Sequence, residues 1–170
     1  GRGGGTSLTE GEFLCSASRS DYLGSTPYLK DIKSEIPSLV SVLKEQGYYT
    51  TAFHPSASAN YNRASVYRYM GFDNSFFYVV LEIAIEKENG WISDVCNYDQ
   101  LIATYEKRPK DRPFFMFNVT IQNHSPFEGS GTIDITSLET KKDVENYLYL
   151  IKRSDEAFQY LTSYFSKVEN

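Results

Sequence analysis

An α/β protein with a mostly parallel central sheet is the architecture that this sequence predicts. Three observations lead there. β-rich runs, YYTTAF and FFMFNVTI, alternate with segments of helical period. FFMFNVTI is apolar almost throughout, as a central strand covered on both faces reads. Polar, turn-rich segments follow these runs at residues 54–63 and 122–127, where parallel sheets gather their ligands.

Each element has its own signal. Residues 6–16 read as a helix, with Ser7 and Glu10 spaced as a capping box and Leu8, Phe13 and Leu14 on one side. Residues 22–36 are polar with turn signals and read as a long loop. IPSLVSVLKEQG follows as a helix, with Pro37 in its first turn and Gly47 as its stop. YYTTAF is a strand ending at His54-Pro55. Residues 62–70 form a short helix closed by Gly71, and FFYVV is a short extended stretch. Asp94 opens the helix DVCNYDQLIATYEK, which stops at the basic, proline-containing KRPKDRP. After FFMFNVTI, a loop over 122–138 leads to an amphipathic helix over 139–168, where Tyr147, Leu150, Ile151, Ala157, Phe158, Leu161 and Phe165 recur at helical intervals.

Composition narrows the function classes. The chain has 170 residues, 41% of them apolar and 15% aromatic, which suits one folded domain over 1–170 with no internal repeat or linker. A net charge of −5 without a basic block argues against nucleic acid as a partner. The apolar runs FFYVVLEIAI and FFMF are broken by Glu or too short to span a bilayer. Cys15 and Cys96 stand apart with no CxxC and no nearby His, so the two cysteines carry no zinc-site signal. A disulfide between them is a matter of geometry, and two buried reduced thiols are expected. The sequons at Asn118 and Asn123 read as chance matches, the first lying inside a strand-like run.

The opening GRGGGTSLTEGEFL raises the main chemical question. It lacks the Gly-Lys-Ser/Thr of a P-loop and the full spacing of a dinucleotide fingerprint. Its glycines allow close backbone approach, and a helix start offers N–H groups to an anion. Thr6 would sit at that positive end. Its hydroxyl is a weak nucleophile unless a metal ion or a base activates it, and helix capping by Thr6 or Ser7 is the plainer alternative. Arg63 can offer a planar fork to phosphate, or can be a solvated charge at a helix start. His124 follows a strand, and an imidazole there can donate to phosphate or assist a leaving alkoxide. A loop histidine can also simply be solvated. His54, at another strand end, is a second candidate.

Several stretches taken in order resemble one family. GGGTSLTEGEFL, IPSLVSVLKEQGYYTTAFHP, ANYNRASVYRYMGFDNSF, FFMFNVTIQNHSPF and YLYLIKRSDEAFQYL are similar to successive segments of the lipoteichoic acid synthase and phosphoglycerol transferase family, within the sulfatase and alkaline phosphatase superfamily. The resemblance implies a three-layer α/β/α fold with a mostly parallel sheet, alkaline-phosphatase-like and incomplete, this chain being a middle piece of a catalytic domain. It implies Thr6 as catalytic nucleophile and metal ligand, with Tyr61, Asn62, Arg63 and His124 on the substrate side. Tyr61 stands where close relatives carry tryptophan, and Ser56 where they carry an acidic substrate contact. True sulfatases carry a Cys/Ser-x-Pro-x-Arg pattern; Thr6-Ser7-Leu8-Thr9-Glu10 lacks it, so phosphoryl transfer is expected instead of sulfate ester hydrolysis.

The implied cofactor is a divalent ion (Mn, Mg or Zn) whose other ligands lie outside this chain, so the isolated piece should bind none and be inactive. The implied partners are a phospholipid headgroup and a polyol or glycan acceptor. The implied setting is the extracellular face of a bacterial membrane, reached through segments outside this chain. A phosphoethanolamine transferase, a phosphatase, or a non-catalytic glycan- or headgroup-binding domain that keeps the fold are the alternatives.

Overall fold

The structure is a computed structural model that describes residues 5–78, 85–127 and 142–168. In chain order its main elements are α1 (Thr6–Cys15), α2 (Pro27–Lys30), α3 (Leu39–Glu45), β1 (Tyr49–His54), α4 (Arg63–Met70), β2 (Asn74–Phe77), β3 (Lys87–Glu88), β4 (Trp91–Ile92), α5 (Asp94–Glu106), β5 (Phe114–Asn118) and α6 (Lys142–Phe165). The chain divides into two compact units, one of Gly1–Tyr78 with Arg108–Asn118, the other of Val79–Lys107 with Val119–Asn170.

The first unit holds the parallel sheet, in the order β2-β1-β5. Registers of Thr50 with Phe115 and Ala52 with Phe117 bring these residues side by side. Phe115 and Phe117 pack against a core that includes Leu14, Tyr28, Val40, Val66, Tyr67 and Met70. Tyr67 lies at its centre, edge-on to Tyr28, Phe72 and Phe117 and stacked on Phe77. The turn after α4 is tied to the sheet by Asp73, which accepts from Thr50 N at 2.8 Å and pairs with Lys44 at 2.9 Å. In the second unit α5 packs along α6, and β3 and β4 form an antiparallel hairpin.

Some expectations need correction. The apolar run of β5 does not put it in the middle of the described strands: among the described residues β1 lies in the middle and β5 pairs with it alone. An unbroken apolar run reports what covers a strand's faces and says nothing about how many edges are hydrogen-bonded. The Ser7/Glu10 capping box does not form, because Gly5 is the N-cap of α1 and the Glu10 carboxylate turns to a buried guanidinium. Residues 22–36 are not all loop, since they contain α2, with Pro27 in its first turn. Pro37 precedes the N-cap of α3, which is Ser38 in a reciprocal box with Ser41. The 122–138 loop and the start of the 139–168 helix fall partly outside the described residues, as do the last residues of FFYVV.

Candidate functional site

Thr6 is the first residue of α1 and is exposed. Gly5, extended at φ −158°, caps the helix without any side-chain hydrogen bond. The first backbone bond of the helix runs from Thr9 N to Gly5 O at 2.9 Å, so the preceding amides have no intrahelical acceptor and give this end its positive character. The Thr6 hydroxyl therefore stands beside a cluster of N–H dipoles suited to an anion.

One turn further on, Glu10 anchors that end of α1. Its carboxylate accepts from Arg63 Nη2 at 2.6 Å, from Arg63 Nε at 3.2 and 3.3 Å, and from Tyr67 Oη at 2.7 Å. Arg63 is 2% exposed and Glu10 4%, so the pair is fully withdrawn from water. Burial works against the guanidinium's charge, but the hydrogen bonds and charge of Glu10 outweigh it and hold the Arg63 pKa above its ordinary value. Burial, then the negative charge of Glu10, pushes the Tyr67 phenol well up, so it stays neutral and donates. Arg63 is thus no solvated helix-start charge. It is half of a buried pair that ties α4 to α1, with Nη1 reaching back to Asn60 O at 3.5 Å.

The loop entering α4 is bent unusually. Tyr61 and Asn62 both take left-handed backbone angles, φ 54° and 57°, one after the other. Neither is glycine, and Tyr61 in this region carries strain that the surroundings must support. The bend lays the Tyr61 ring over Arg63, 5.0 Å from Cζ, with the ring part-exposed above the buried cation. Asn60 Nδ2 donates to Ser56 Oγ at 2.9 Å, holding the loop's other limb. His54, at the end of β1, is buried rather than displayed.

His124 belongs to the second unit and is exposed. Its backbone N donates to Ile121 O at 2.9 Å, and Nδ1 lies 2.7 Å from Ser125 O. Trp91 packs against its ring with centroids 5.0 Å apart. Nearby, Asp94 is buried at the start of α5, where burial raises its pKa although Ser154 Oγ donates to it at 2.5 Å. Asn123 Nδ2 donates to the same Ser154 oxygen at 2.9 Å, so that sequon's amide is engaged inside the protein. Cys15 and Cys96 form no disulfide, and burial pushes the Cys15 thiol up to about 11, which keeps it from acting as a nucleophile at neutral pH.

Sequence reasoning placed Thr6 at a helix start and Tyr61, Asn62 and Arg63 around the end of β1, and the first unit joins these through Glu10. It missed Glu10 and Tyr67 as partners of Arg63. It also passed over Asn89-Gly90, a dipeptide that marks a two-residue hairpin turn. Among the described residues no group of three or more His, Cys, Asp or Glu is placed to hold a metal ion. Thr6 offers a single oxygen, and Glu10 is committed to Arg63. These residues alone do not fit a metal centre. No described helix is long and apolar enough to cross a membrane.

Known proteins are similar to this chain in sequence and in fold. A putative cyclic beta-1,2-glucan modification protein of Rhizobium meliloti is 30% identical over 167 residues, covering 94% of this chain and 26% of that protein. The crystal structure of the lipoteichoic acid synthase LtaP from Listeria monocytogenes superposes with a TM-score of 0.81 at 22% identity, over 96% of this chain and 40% of that one. The Streptococcus pyogenes phosphoglycerol transferase GacH, solved in complex with sn-glycerol-1-phosphate, matches with a TM-score of 0.75 at 21% identity, over 99% of this chain and 46% of that one. The chain therefore spans about a quarter of that curated relative and less than half of these solved chains. The parallel sheet flanked by helices is the alkaline-phosphatase-like fold of these neighbours. The match to the Sulfatase family runs over residues 1–170, and the chain belongs to that family.

Proposed function

We propose that this chain carries the nucleophile and phosphate-side residues of an extracellular phosphoglycerol, or related phospho-alcohol, transferase with a threonine nucleophile. The observation that carries the reading is the exposed Thr6 hydroxyl at the positive end of α1, with that helix fixed by the buried Glu10–Arg63 pair. The glycerol phosphate bound to GacH and the synthase activity named for LtaP support the same chemistry. Family membership does not make the chain a sulfatase, because Thr6-Ser7-Leu8-Thr9-Glu10 lacks the proline and arginine that accompany a sulfatase nucleophile.

In this reading Thr6 Oγ attacks the phosphorus of a lipid headgroup such as phosphatidylglycerol. The Thr6 hydroxyl loses its proton as the new O–P bond forms, the P–O bond to diacylglycerol breaks, and a proton ends on the diacylglycerol oxygen, leaving phosphoglycerol on Thr6. A hydroxyl of a polyol or glycan acceptor then takes the group and frees Thr6. The amides at the start of α1 stabilise charge on the phosphate oxygens. Arg63, its charge balanced by Glu10, holds the loop and the Tyr61 ring in place. His124 contacts phosphate or acceptor.

A divalent ion, with Thr6 as one donor and the others from outside this chain, would lower the pKa of the hydroxyl. Membrane attachment in this reading comes from outside this chain as well.

The test is diacylglycerol release from phosphatidylglycerol by the full-length enzyme carrying Thr6→Ala. Release should vanish while the unfolding free energy stays within about 0.5 kcal/mol of wild type, as for other surface positions. Turnover near the wild-type rate would rule out the threonine nucleophile.

A further inference from the structure

The β3–β4 hairpin has no role in the reading above, yet its residues converge on His124. Asn89 and Gly90 form its two-residue turn, with φ of 55° and 75°, the left-handed pair that a tight hairpin of this kind needs. From that turn Asn89 Nδ2 donates to two backbone carbonyls, those of Gln122 at 3.1 Å and His124 at 2.8 Å. The next residue, Trp91, lays its ring against the imidazole at 60°. Trp91 is itself seated on the small cluster of Ile92, Cys96 and Ile121. Arg153 of α6 pairs with Glu88 at 3.4 Å and ties the hairpin's first strand down.

The imidazole's own hydrogen bond fixes its chemistry. Ser125 O is a carbonyl and can only accept, so Nδ1, 2.7 Å away, carries the proton. In the neutral ring Nε2 then keeps its lone pair.

We propose that Asn89 and Trp91 are positioning residues that hold His124 as the Nδ1–H tautomer, so that neutral His124 accepts a hydrogen bond at Nε2 from a hydroxyl of a polyol or glycan acceptor. A phosphate oxygen, which needs a donor, is contacted at Nε2 only by the protonated ring. This rests on the reading of His124 as a substrate residue and says which substrate group the neutral form takes.

Nitrogen-15 histidine labelling of the intact protein reads the tautomer directly. The chain has two histidines, and the set of signals lost in His124→Gln is that of His124. Wild type should show the proton on Nδ1 of His124. Asn89→Ala and Trp91→Ala should each give a mixture of the two tautomers, and Trp91→Phe should restore the wild-type pattern by keeping a ring in place. Asn89→Ala should lower phosphatidylglycerol-dependent turnover about three- to tenfold, the scale of one or two hydrogen bonds, with little change in KM.

A proton on Nε2 in wild type, or an unchanged tautomer in both alanine variants, would overturn the proposal. Full turnover in His124→Gln with wild type in the expected tautomer would instead overturn the substrate role of His124, so the two failures are told apart.

Discussion

Glu10 and Arg63 are worth little as a pair until one of them is removed. Glu10→Gln keeps the shape but strips the charge that Arg63 needs at 2% exposure. The desolvated guanidinium is then uncompensated, and breaking buried pairs in this way costs about 3–5 kcal/mol. Urea unfolding should show a loss of that order for Glu10→Gln and for Arg63→Ala, and a much smaller loss for Tyr67→Phe, which removes one hydrogen bond from a carboxylate still paired with Arg63. Equal losses in all three would mean that the phenol's hydrogen bond holds α1 to α4 as firmly as the ion pair does.

Asp94 shows the opposite electrostatic sign. Burial raises its pKa above the ordinary 3.8, so the folded state keeps a proton that the unfolded state has already released. Its contribution therefore favours the fold at acid pH and fades as pH rises from about 3.8 through the raised value. Asp94→Asn can still accept from Ser154 and should remove that slope. Stability measured from pH 4 to 7 should fall relative to Asp94→Asn in the wild type; a constant difference would mean that Asp94 ionises alike in both states.

Helix boundaries show at the element scale where local signals suffice. Gly71 after α4 and Gly47 after α3 take φ of 99° and 87°, the left-handed stops that their sequence positions predict. An added Cβ at Gly71 would meet nothing closer than 3.8 Å, and at Gly47 nothing within 4 Å, so alanine there tests backbone conformation alone. Each substitution should lower stability by about 1–2 kcal/mol, the cost of forcing an L-residue into that region. A loss above about 3 kcal/mol in either would point to a packing role that the surrounding space does not provide for.

The bend at Tyr61 and Asn62 is a different case. No glycine marks it, and its support comes from Arg63 underneath and Asn60 beside it, so it could not be read from local preference. β5 was legible as a strand because its apolar run is local. Its place at one side of β1 depends on which strands find each other, which composition does not encode.

At the scale of the whole molecule, the strand–loop–helix order and its parallel sense were legible because short periodic segments and turn residues dictate them. The Glu10–Arg63 bond joins residues 53 apart in sequence and leaves no periodic trace, so the site's internal support was invisible where its chemistry was not. That support also bears on metal binding, since it decides which donors are free. Glu10 is bound to Arg63, Asp94 to Ser154, and Asp73 to Thr50 and Lys44. Among the described residues no three or more ligating side chains stand together. Tight binding of a divalent ion needs several oxygen or nitrogen donors in fixed geometry, and Thr6 supplies one. Calorimetric titration of manganese, magnesium and zinc into the 170-residue chain should therefore give weak binding without a one-to-one endpoint, and Thr6→Ala should leave the isotherms unchanged. Tight one-to-one binding that Thr6→Ala abolishes would show that residues of this chain complete a site around the hydroxyl, with Glu10 released from Arg63 as the first donor to test.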